Sequence, residues 1–260
     1  MMSNLEGKKV LITGGTHGIG EATAILFNKE KASVWVLGRS EENFKRIEST
    51  EEGKGINFIK YDLSNRDEVL SFVDWLDKSE IVFDVLINNA SRNSRYNITN
   101  ISLEEWESMI ELNLTSVLIL TQHVVRKMIK AGKKGKIINV GALQSLCPLD
   151  SSLAYSTVKG AMRSFTKSLA VDLGQYGILT TLVMPGPIYA KADSYDVPEY
   201  LDKRAATLIG RMGRTFEVAE LLSFLASDSN TFMTGNEIII DGGRLVSRKP
   251  DPEEIQKNIL

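Results

Sequence analysis

Tyr155 and Lys159 lie four residues apart in a stretch with a helical pattern. That spacing places both side chains on one face of an α-helix. A phenol with a pKa of about 10 exchanges protons poorly at neutral pH, but a neighbouring ammonium favours the phenolate and lowers that pKa. The pair is therefore a candidate for proton transfer to or from a substrate oxygen. The same spacing also occurs by chance on solvated helix faces.

A glycine-rich segment, Thr13–Gly20, separates the first predicted strand from the first predicted helix. Glycines allow a tight turn and a close approach of the backbone to a pyrophosphate. The helix N-terminus adds N–H donors and the positive end of its dipole. A tight turn without a ligand is the alternative. The predicted dinucleotide contacts in this segment are Gly14, Thr16, His17, Gly18, Ile19 and Gly20.

The end of the second predicted strand distinguishes the two nicotinamide dinucleotides. An acidic residue about 20 positions after the glycines would bind the ribose 2′-hydroxyl and repel a 2′-phosphate. This sequence has Gly38 there, followed by Arg39 and Ser40. A guanidinium can pair with a phosphate through two hydrogen bonds. The sequence therefore predicts NADP(H), with Arg39 and Ser40 at the cofactor; a solvated surface arginine is the alternative.

Short β-rich runs alternate with amphipathic stretches along the whole chain, which predicts an α/β fold with a doubly wound parallel sheet of the Rossmann type. The predicted strands are Lys9–Thr13, Ser33–Leu37, Asn57–Tyr61, Phe83–Ile87, Lys136–Val140, Leu179–Met184 and Glu237–Ile240. The predicted helices are Ile19–Lys29, Glu41–Glu51, Arg66–Asp77, Leu103–Lys130, Ser152–Gln175 and Phe216–Ala226.

The composition narrows the class of protein. With 260 residues, 43% of them hydrophobic and 25% charged, the chain suits a single domain, 1–260, with a substantial core. A net charge of −2 argues against a nucleic-acid partner. We find no apolar run long enough to span a bilayer and no signal peptide, so no membrane partner is expected. Cys147 is the only cysteine, which suits the cytoplasm, and His17 and His123 are too isolated to predict a metal site.

Taken together, these residues resemble the short-chain dehydrogenase/reductase family over nearly the whole chain. Several landmarks in the expected order carry the resemblance besides the glycine segment and the tyrosine–lysine pair. They are Asp62-Leu63, Asn88-Asn89-Ala90, Asn113, Pro185-Gly186, Gly210–Arg214 and Asp241–Gly243.

The resemblance implies about seven strands in the order 3-2-1-4-5-6-7 and hydride transfer to or from a nicotinamide. Tyr155 would exchange a proton with the substrate oxygen, Lys159 would lower the tyrosine pKa and hold the ribose, and Asn113 would anchor a water. A homo-oligomer, a tetramer or a dimer, would form through the two long helices, unless these form only an intramolecular layer. The implied cofactor contacts are Asp62, Leu63, Asn89, Ala90, Tyr155, Lys159, Pro185, Gly186 and Ile188.

Three positions depart from the family pattern. Ser91 replaces the glycine that usually follows Asn-Asn-Ala, and we expect this to adjust the backbone near the cofactor. Ala190 replaces a cofactor-contacting threonine. The catalytic serine normally lies thirteen residues before the tyrosine, where this chain has Ala142. Alanine cannot donate a hydrogen bond to a developing oxyanion, and losing one such donor costs on the order of 10²–10³ in rate.

The substrate is expected to be a small molecule bound beside Ala142, Gln144 and Ser145, with Tyr189 and Tyr195 in a substrate lid over residues 189–210. Residues 244–260 are expected to be a charged, solvated tail. The preferred hypothesis is NADPH-dependent reduction of a ketone or 3-oxoacyl carbonyl to an alcohol. Two alternatives stay open: reduction of a carbon–carbon double bond, and a non-catalytic NADP-binding or interaction protein.

Overall fold

The computed structural model describes residues 5–190 and 206–249. Seven parallel strands form its main sheet, and two further short strands pair separately. The strands are β1 (Lys9–Thr13), β2 (Ser33–Gly38), β3 (Asn57–Lys60), β4 (Val85–Asn88), β5 (Lys136–Val140), β6 (Leu179–Pro185), β7 (Ile188–Tyr189), β8 (Gly213–Arg214) and β9 (Asn236–Ile240). The main sheet has the order β3-β2-β1-β4-β5-β6-β9, so the predicted order of seven strands is confirmed.

Seven α-helices accompany these strands in the described part of the chain. They are α1 (Gly18–Lys29), α2 (Glu41–Glu48), α3 (Arg66–Lys78), α4 (Leu103–Ile110), α5 (Ser116–Lys130), α6 (Leu153–Leu173) and α7 (Thr215–Ala226). Short 3₁₀ turns occupy Glu51–Gly53, Leu143–Ser145 and Gly174–Tyr176. The predicted helices therefore all form, with ends that differ by a few residues.

The apolar runs of the central strands are buried on both faces of the sheet. Along β1, Val10 and Ile12 face the cluster that includes α1 and α7, whereas Leu11 faces the cluster that includes α3 and α5. Successive side chains of a strand point to opposite faces, so a continuous apolar run supplies two cores at once. This arrangement gives the doubly wound layering that the sequence predicts.

A π-helical segment, Glu111–Thr115, joins α4 to α5 within the stretch predicted as one regular helix. The whole run Leu103–Lys130 is long and apolar enough to cross a membrane by length and composition, contrary to the sequence expectation. That criterion is weak, because the core helix of a soluble protein also passes it. Here Leu120 and Val124 are buried in the cluster that includes α3, so we interpret this run as a core helix.

The segment after β6 forms a pairing that the sequence did not predict. Ile188 pairs in parallel with Gly213, and Tyr189 pairs with Arg214. Tyr195, most of the proposed lid 189–210 and residues 250–260 of the tail lie outside the described residues. The structure therefore leaves the lid and tail assignments as predictions.

Candidate active site

A cavity of about 450 Å³ opens at the carboxyl ends of β1, β2 and β4. In an open parallel sheet this edge is where ligands bind. The predicted cofactor residues on its wall are Gly14, Thr16, His17, Gly18, Ile19, Arg39, Ser40, Asp62, Leu63, Asn89 and Ala90. Residues on the wall that the sequence did not assign to the cofactor are Leu37, Gly38, Asn43, Tyr61, Ser91, Arg92, Leu112 and Ala190.

The glycine turn has the close backbone approaches that a dinucleotide cradle requires. Gly14 has a φ of +65°, and a Cβ built on it would lie 2.8 Å from the Cα of Ala90. A Cβ on Gly20 would lie 2.3 Å from the carbonyl oxygen of Gly14, so Gly20 closes the turn rather than lining the cavity. His17 at the start of α1 makes no side-chain cap to the helix. The first-turn N–H groups can therefore bind phosphate, and the residues present fit a nicotinamide dinucleotide.

Arg39 extends over the cavity beside Asp62. Its side chain is 72% exposed, and its Nη1 lies 3.4 Å from Oδ2 of Asp62. Burial raises the pKa of Asp62, but hydrogen bonds from Ser64 and the charge of Arg39 outweigh it and hold that pKa below its ordinary value. Asp62 is therefore anionic at neutral pH. Because this ion pair is long and exposed, it is weak, and the guanidinium can turn to an incoming anion.

Tyr155 and Lys159 lie on one face of α6, as their spacing predicts, with Nζ of Lys159 5.7 Å from the centroid of the tyrosine ring. Nζ donates to the carbonyl oxygen of Val140 at 2.9 Å. Burial raises the pKa of Tyr155 to about 12, and the Ser91 side chain opposes this rise only in part. Burial also lowers the pKa of Lys159 to about 8. The expected lowering of the tyrosine pKa is therefore not found, because burial favours the neutral phenol.

Asn113 lies in the π-helical segment and is buried. Its Nδ2 donates to the carbonyl oxygen of Met109 at 3.0 Å, and its Oδ1 accepts a 2.7 Å hydrogen bond from Oγ of Ser91. Single π turns within α-helices occur frequently at functional sites. The expectation that Ser91 only adjusts the backbone is therefore incomplete, because its hydroxyl binds Asn113, a predicted catalytic residue. The sequence contains one sign of this contact, which is that Ser91 stands where the family usually has glycine.

The predicted substrate residues after β5 lie off the wall of the large cavity. Ala142 is buried immediately before the 3₁₀ turn Leu143–Ser145. The hydroxyl of Ser145 donates to the carbonyl oxygen of Ala142 at 2.8 Å and lies 3.2 Å from Sδ of Met184. Ser145 is thus held by the backbone rather than aimed at Tyr155, and Gln144 is half-buried beside it. No displaced donor for the missing serine is found among these residues.

β6 ends at the Pro185-Gly186 turn, which packs against the loop that follows β9. The Gly186 N–H donates to the carbonyl oxygen of Ile240 at 2.9 Å, and a Cβ on Gly186 would lie 2.6 Å from Cβ of Asp241. Ile188 packs against the α1–α7 core cluster and lines a separate cavity of about 100 Å³. Ile188 therefore does not reach the large cavity, whereas Ala190 does.

Comparison with known proteins identifies the family. A family model described as "Enoyl-(Acyl carrier protein) reductase" matches residues 14–244. The cyclopentanol dehydrogenase of Comamonas testosteroni is 33% identical over 247 residues, covering 93% of this chain and 98% of the relative. The 3-oxoacyl-(acyl-carrier-protein) reductase of Thermotoga maritima is 34% identical over 246 residues, covering 93% and 99%.

A solved structure shares the architecture. The L-sorbose reductase of Gluconobacter frateurii, complexed with NADPH and L-sorbose, has a TM-score of 0.84 and 28% identity, covering 94% of this chain and 99% of that one. This chain belongs to the short-chain dehydrogenase/reductase family, so the resemblance seen in the sequence is confirmed. It is an oxidoreductase with a dehydrogenase or reductase activity that uses a nicotinamide cofactor.

The buried ammonium of Lys159 predicts a pH-dependent stability. Since burial lowers its folded-state pKa to about 8, the unfolded chain binds the extra proton between about pH 8 and 10.5. The free energy of unfolding should therefore rise through that window by about 1.4 kcal/mol per pH unit at most, relative to Lys159→Met. Urea unfolding at pH 7, 8, 9 and 10 measures this difference. Lys130→Met, at an exposed lysine, is the control. If the difference in unfolding free energy between the unmodified protein and Lys159→Met stays constant with pH, the prediction is contradicted.

Proposed function

We propose that this protein catalyses NADPH-dependent reduction of a carbonyl, a ketone or 3-oxoacyl group, to an alcohol. The observation that carries the proposal is the pairing of the buried Tyr155 with the buried Lys159 on one face of α6, in a chain that also has a cavity that fits a dinucleotide. A protein that only binds nucleotide has no need for a buried phenol next to a buried ammonium. The site supports proton transfer next to the cofactor, which carbonyl reduction requires.

The chain's own residues supply the acid and its surroundings. When bound, the nicotinamide cofactor supplies the hydride. Tyr155 holds the proton that the substrate oxygen receives as the carbonyl becomes an alcohol. Lys159, fixed by the Val140 carbonyl, places a positive charge near the phenol, which favours the phenolate left after proton transfer. The buried setting of both groups keeps water from competing for the proton.

The preference for NADP(H) rests on the end of β2. Gly38 carries no carboxylate to repel a 2′-phosphate, and the exposed Arg39 guanidinium can form charge-assisted hydrogen bonds with it. The NADPH complex of L-sorbose reductase supports the same choice. Two relatives are named for reactions on cyclopentanol and on 3-oxoacyl groups. Their names support a carbonyl or secondary alcohol as the reacting group.

Reduction of a carbon–carbon double bond is the second candidate. It is favoured by the enoyl reductase description of the matching family model and by Ala142, which offers no hydroxyl to a carbonyl oxygen. NADPH oxidation with ketones, 3-oxoacyl thioesters and enones separates the two candidates. Turnover of ketones or 3-oxoacyl thioesters supports carbonyl reduction, whereas turnover of enones alone supports the alternative.

Arg39→Ala should weaken NADPH binding about tenfold or more and leave NADH binding nearly unchanged. The substitution removes a charge-assisted contact worth about 1.5–3 kcal/mol, which only the 2′-phosphate can make. Dissociation constants follow from the change in nicotinamide fluorescence on binding. Arg126→Ala removes the same charge from the exposed face of α5 and is the matched control. Equal affinities of the unmodified protein for NADPH and NADH would refute the cofactor assignment.

Tyr155→Phe should reduce carbonyl turnover by about 10²-fold or more, because a positioned acid contributes this much or more. Phenylalanine keeps the ring packed against Met109 and Val158 and removes only the hydroxyl. NADPH oxidation reports the rate, and the NADPH dissociation constant should change little. A variant that retains its full rate would show that the proton comes from another group.

A further inference from the structure

A buried polar cluster joins the ends of β4 and β5 to the helices α5 and α6. Asn88 and Asn139 are neighbours in the sheet, and Nδ2 of Asn88 donates to Oδ1 of Asn139 at 2.8 Å. Nδ2 of Asn88 also donates to Oγ1 of Thr121 in α5, at 3.0 Å. On the other side, Nδ2 of Asn139 donates to Oγ1 of Thr166 in α6, at 2.9 Å. All four residues are at most 3% exposed, so these hydrogen bonds replace the contacts with water that the side chains lost on folding.

Two consecutive residues of β5 hold α6. The side chain of Asn139 binds Thr166, and the carbonyl oxygen of Val140 accepts the 2.9 Å hydrogen bond from Nζ of Lys159. Lys159 and Thr166 are seven residues apart, which is close to two helical turns, so their side chains lie on the same face of α6. The helix is thus attached to one strand at two points, and one of them is the ammonium beside Tyr155.

The hydroxyl of Thr166 has a defined direction in this cluster. It accepts from Nδ2 of Asn139 and donates its single proton to the carbonyl oxygen of Met162, one turn earlier in α6, at 2.8 Å. The Thr166 carbonyl in turn accepts a 3.1 Å hydrogen bond from Oγ1 of Thr180 in β6. An apolar side chain at this position would leave a buried amide proton of Asn139 without its partner. The hydrogen bond therefore favours one placement of α6 along β5.

The position of the Lys159 ammonium depends on that placement. A lysine has a long flexible stem and a strongly hydrated ammonium, so it turns to water wherever the packing allows. Here the side chain stays buried, and burial lowers its pKa to about 8. A shift of α6 along β5 would separate Nζ from the Val140 carbonyl and let water reach it. The attachment at Thr166 opposes such a shift.

We propose that Thr166, bound by Asn139, is a positioning residue for Lys159. It fixes α6 along β5 so that the Lys159 ammonium stays on the Val140 carbonyl and beside Tyr155. Thr166 does not line the large cavity, so it acts through Lys159 and not on a ligand. The proposal deepens the carbonyl reductase function and rests on it for its kinetic consequence. Its effect on Lys159 can be measured without turnover.

The kinetic test is Thr166→Val, which removes the hydroxyl and keeps the shape of the side chain. The kcat of carbonyl reduction, normalised to the concentration of protein that binds NADPH, should fall about tenfold or more, because a small displacement of a group at the reacting centre is costly. Thr166→Ser keeps a hydroxyl and should restore kcat.

Thr23→Val is the matched control and should keep the kcat of the unmodified protein. Thr23 is fully buried in α1, and its hydroxyl also donates one turn back, to the carbonyl oxygen of Ile19 at 2.7 Å. Its neighbours Ala24 and Phe27 belong to the core cluster on the other face of the sheet from the cluster that contains Leu173 of α6. Both valine variants lose a buried hydroxyl, but only Thr166→Val loses the attachment of α6 to β5.

The second measurement follows the titration of Lys159 by ¹⁵N NMR of the lysine side chains, with Lys159→Met identifying the signal. Because the ammonium becomes less buried, the pKa of Lys159 should rise by about half a pH unit or more in Thr166→Val. It should stay at its original value in Thr166→Ser and in Thr23→Val. If Thr166→Val does not fold, Thr166→Cys, whose thiol is a weak donor and acceptor, should give the same changes with smaller size.

The two measurements separate the proposal from the proposed function. If the pKa of Lys159 rises in Thr166→Val while the unmodified protein reduces no carbonyl, Thr166 has the proposed role and the proposed function is wrong. If carbonyls are reduced and Thr166→Val only loses stability, with kcat and the Lys159 titration unchanged, Thr166 has a purely structural role and the proposal is overturned. In a protein that reduces carbonyls, a change in only one of the two readouts also overturns it.

Discussion

The hydrogen bonds between the loops that follow β1 and β4 are the constraint on which the site depends. The Thr13 hydroxyl accepts from the backbone N–H groups of Asn89 and Ala90, each at 3.0 Å. The amide of Asn89 donates in return to the carbonyls of Thr13 and Gly14, at 3.0 and 3.1 Å. These bonds contribute about 0.5–1.5 kcal/mol each, and breaking one would leave a partly buried polar group without its partner. The cofactor turn and the loop that carries Ser91 therefore act as one rigid unit.

Burial sets the electrostatics of this unit. The same loss of water raises the pKa of Tyr155 to about 12 and lowers that of Lys159 to about 8. Both groups are thus shifted towards their neutral forms. A hydrogen bond from Nζ to the carbonyl oxygen of Val140 holds the Lys159 side chain beside the tyrosine ring. Burial of these two ionisable groups lowers the stability of the folded protein, as is common at active sites.

Much of the fold could be predicted from the sequence, because buried strands need continuous apolar runs and the helices between them need an apolar face. β1 and β5 have the predicted ends, and Leu103–Lys130 forms as a helical run. The π-helical segment Glu111–Thr115 could not be predicted, since the apolar pattern runs through it without interruption. The pairing of β7 with β8 depends on residues far apart in sequence, which no local pattern reveals.

Only part of the site could be predicted, because sequence patterns report local geometry and not tertiary contacts. Local spacing correctly places Tyr155 and Lys159 on one helix face and the glycines at the end of β1, and these depend on short-range geometry. The raised pKa of Tyr155 is a property of its tertiary surroundings, which a helical spacing cannot report. The contact between Ser91 and Asn113 joins residues 22 positions apart, and the serine in place of the family glycine was its only sign in the sequence.

Hydride transfer to a carbonyl carbon is the central claim, and isotope labelling tests it most directly. The protein is incubated with a ketone or 3-oxoacyl thioester that it turns over and with NADPH that carries deuterium at the transferable position of nicotinamide C4. The alcohol is then analysed by mass spectrometry and NMR. The account predicts one deuterium on the carbon that bears the new hydroxyl, and Tyr155→Phe should form this product far more slowly. An alcohol without deuterium at that carbon, or deuterium delivered only to the double bond of an enone offered in its place, would contradict it.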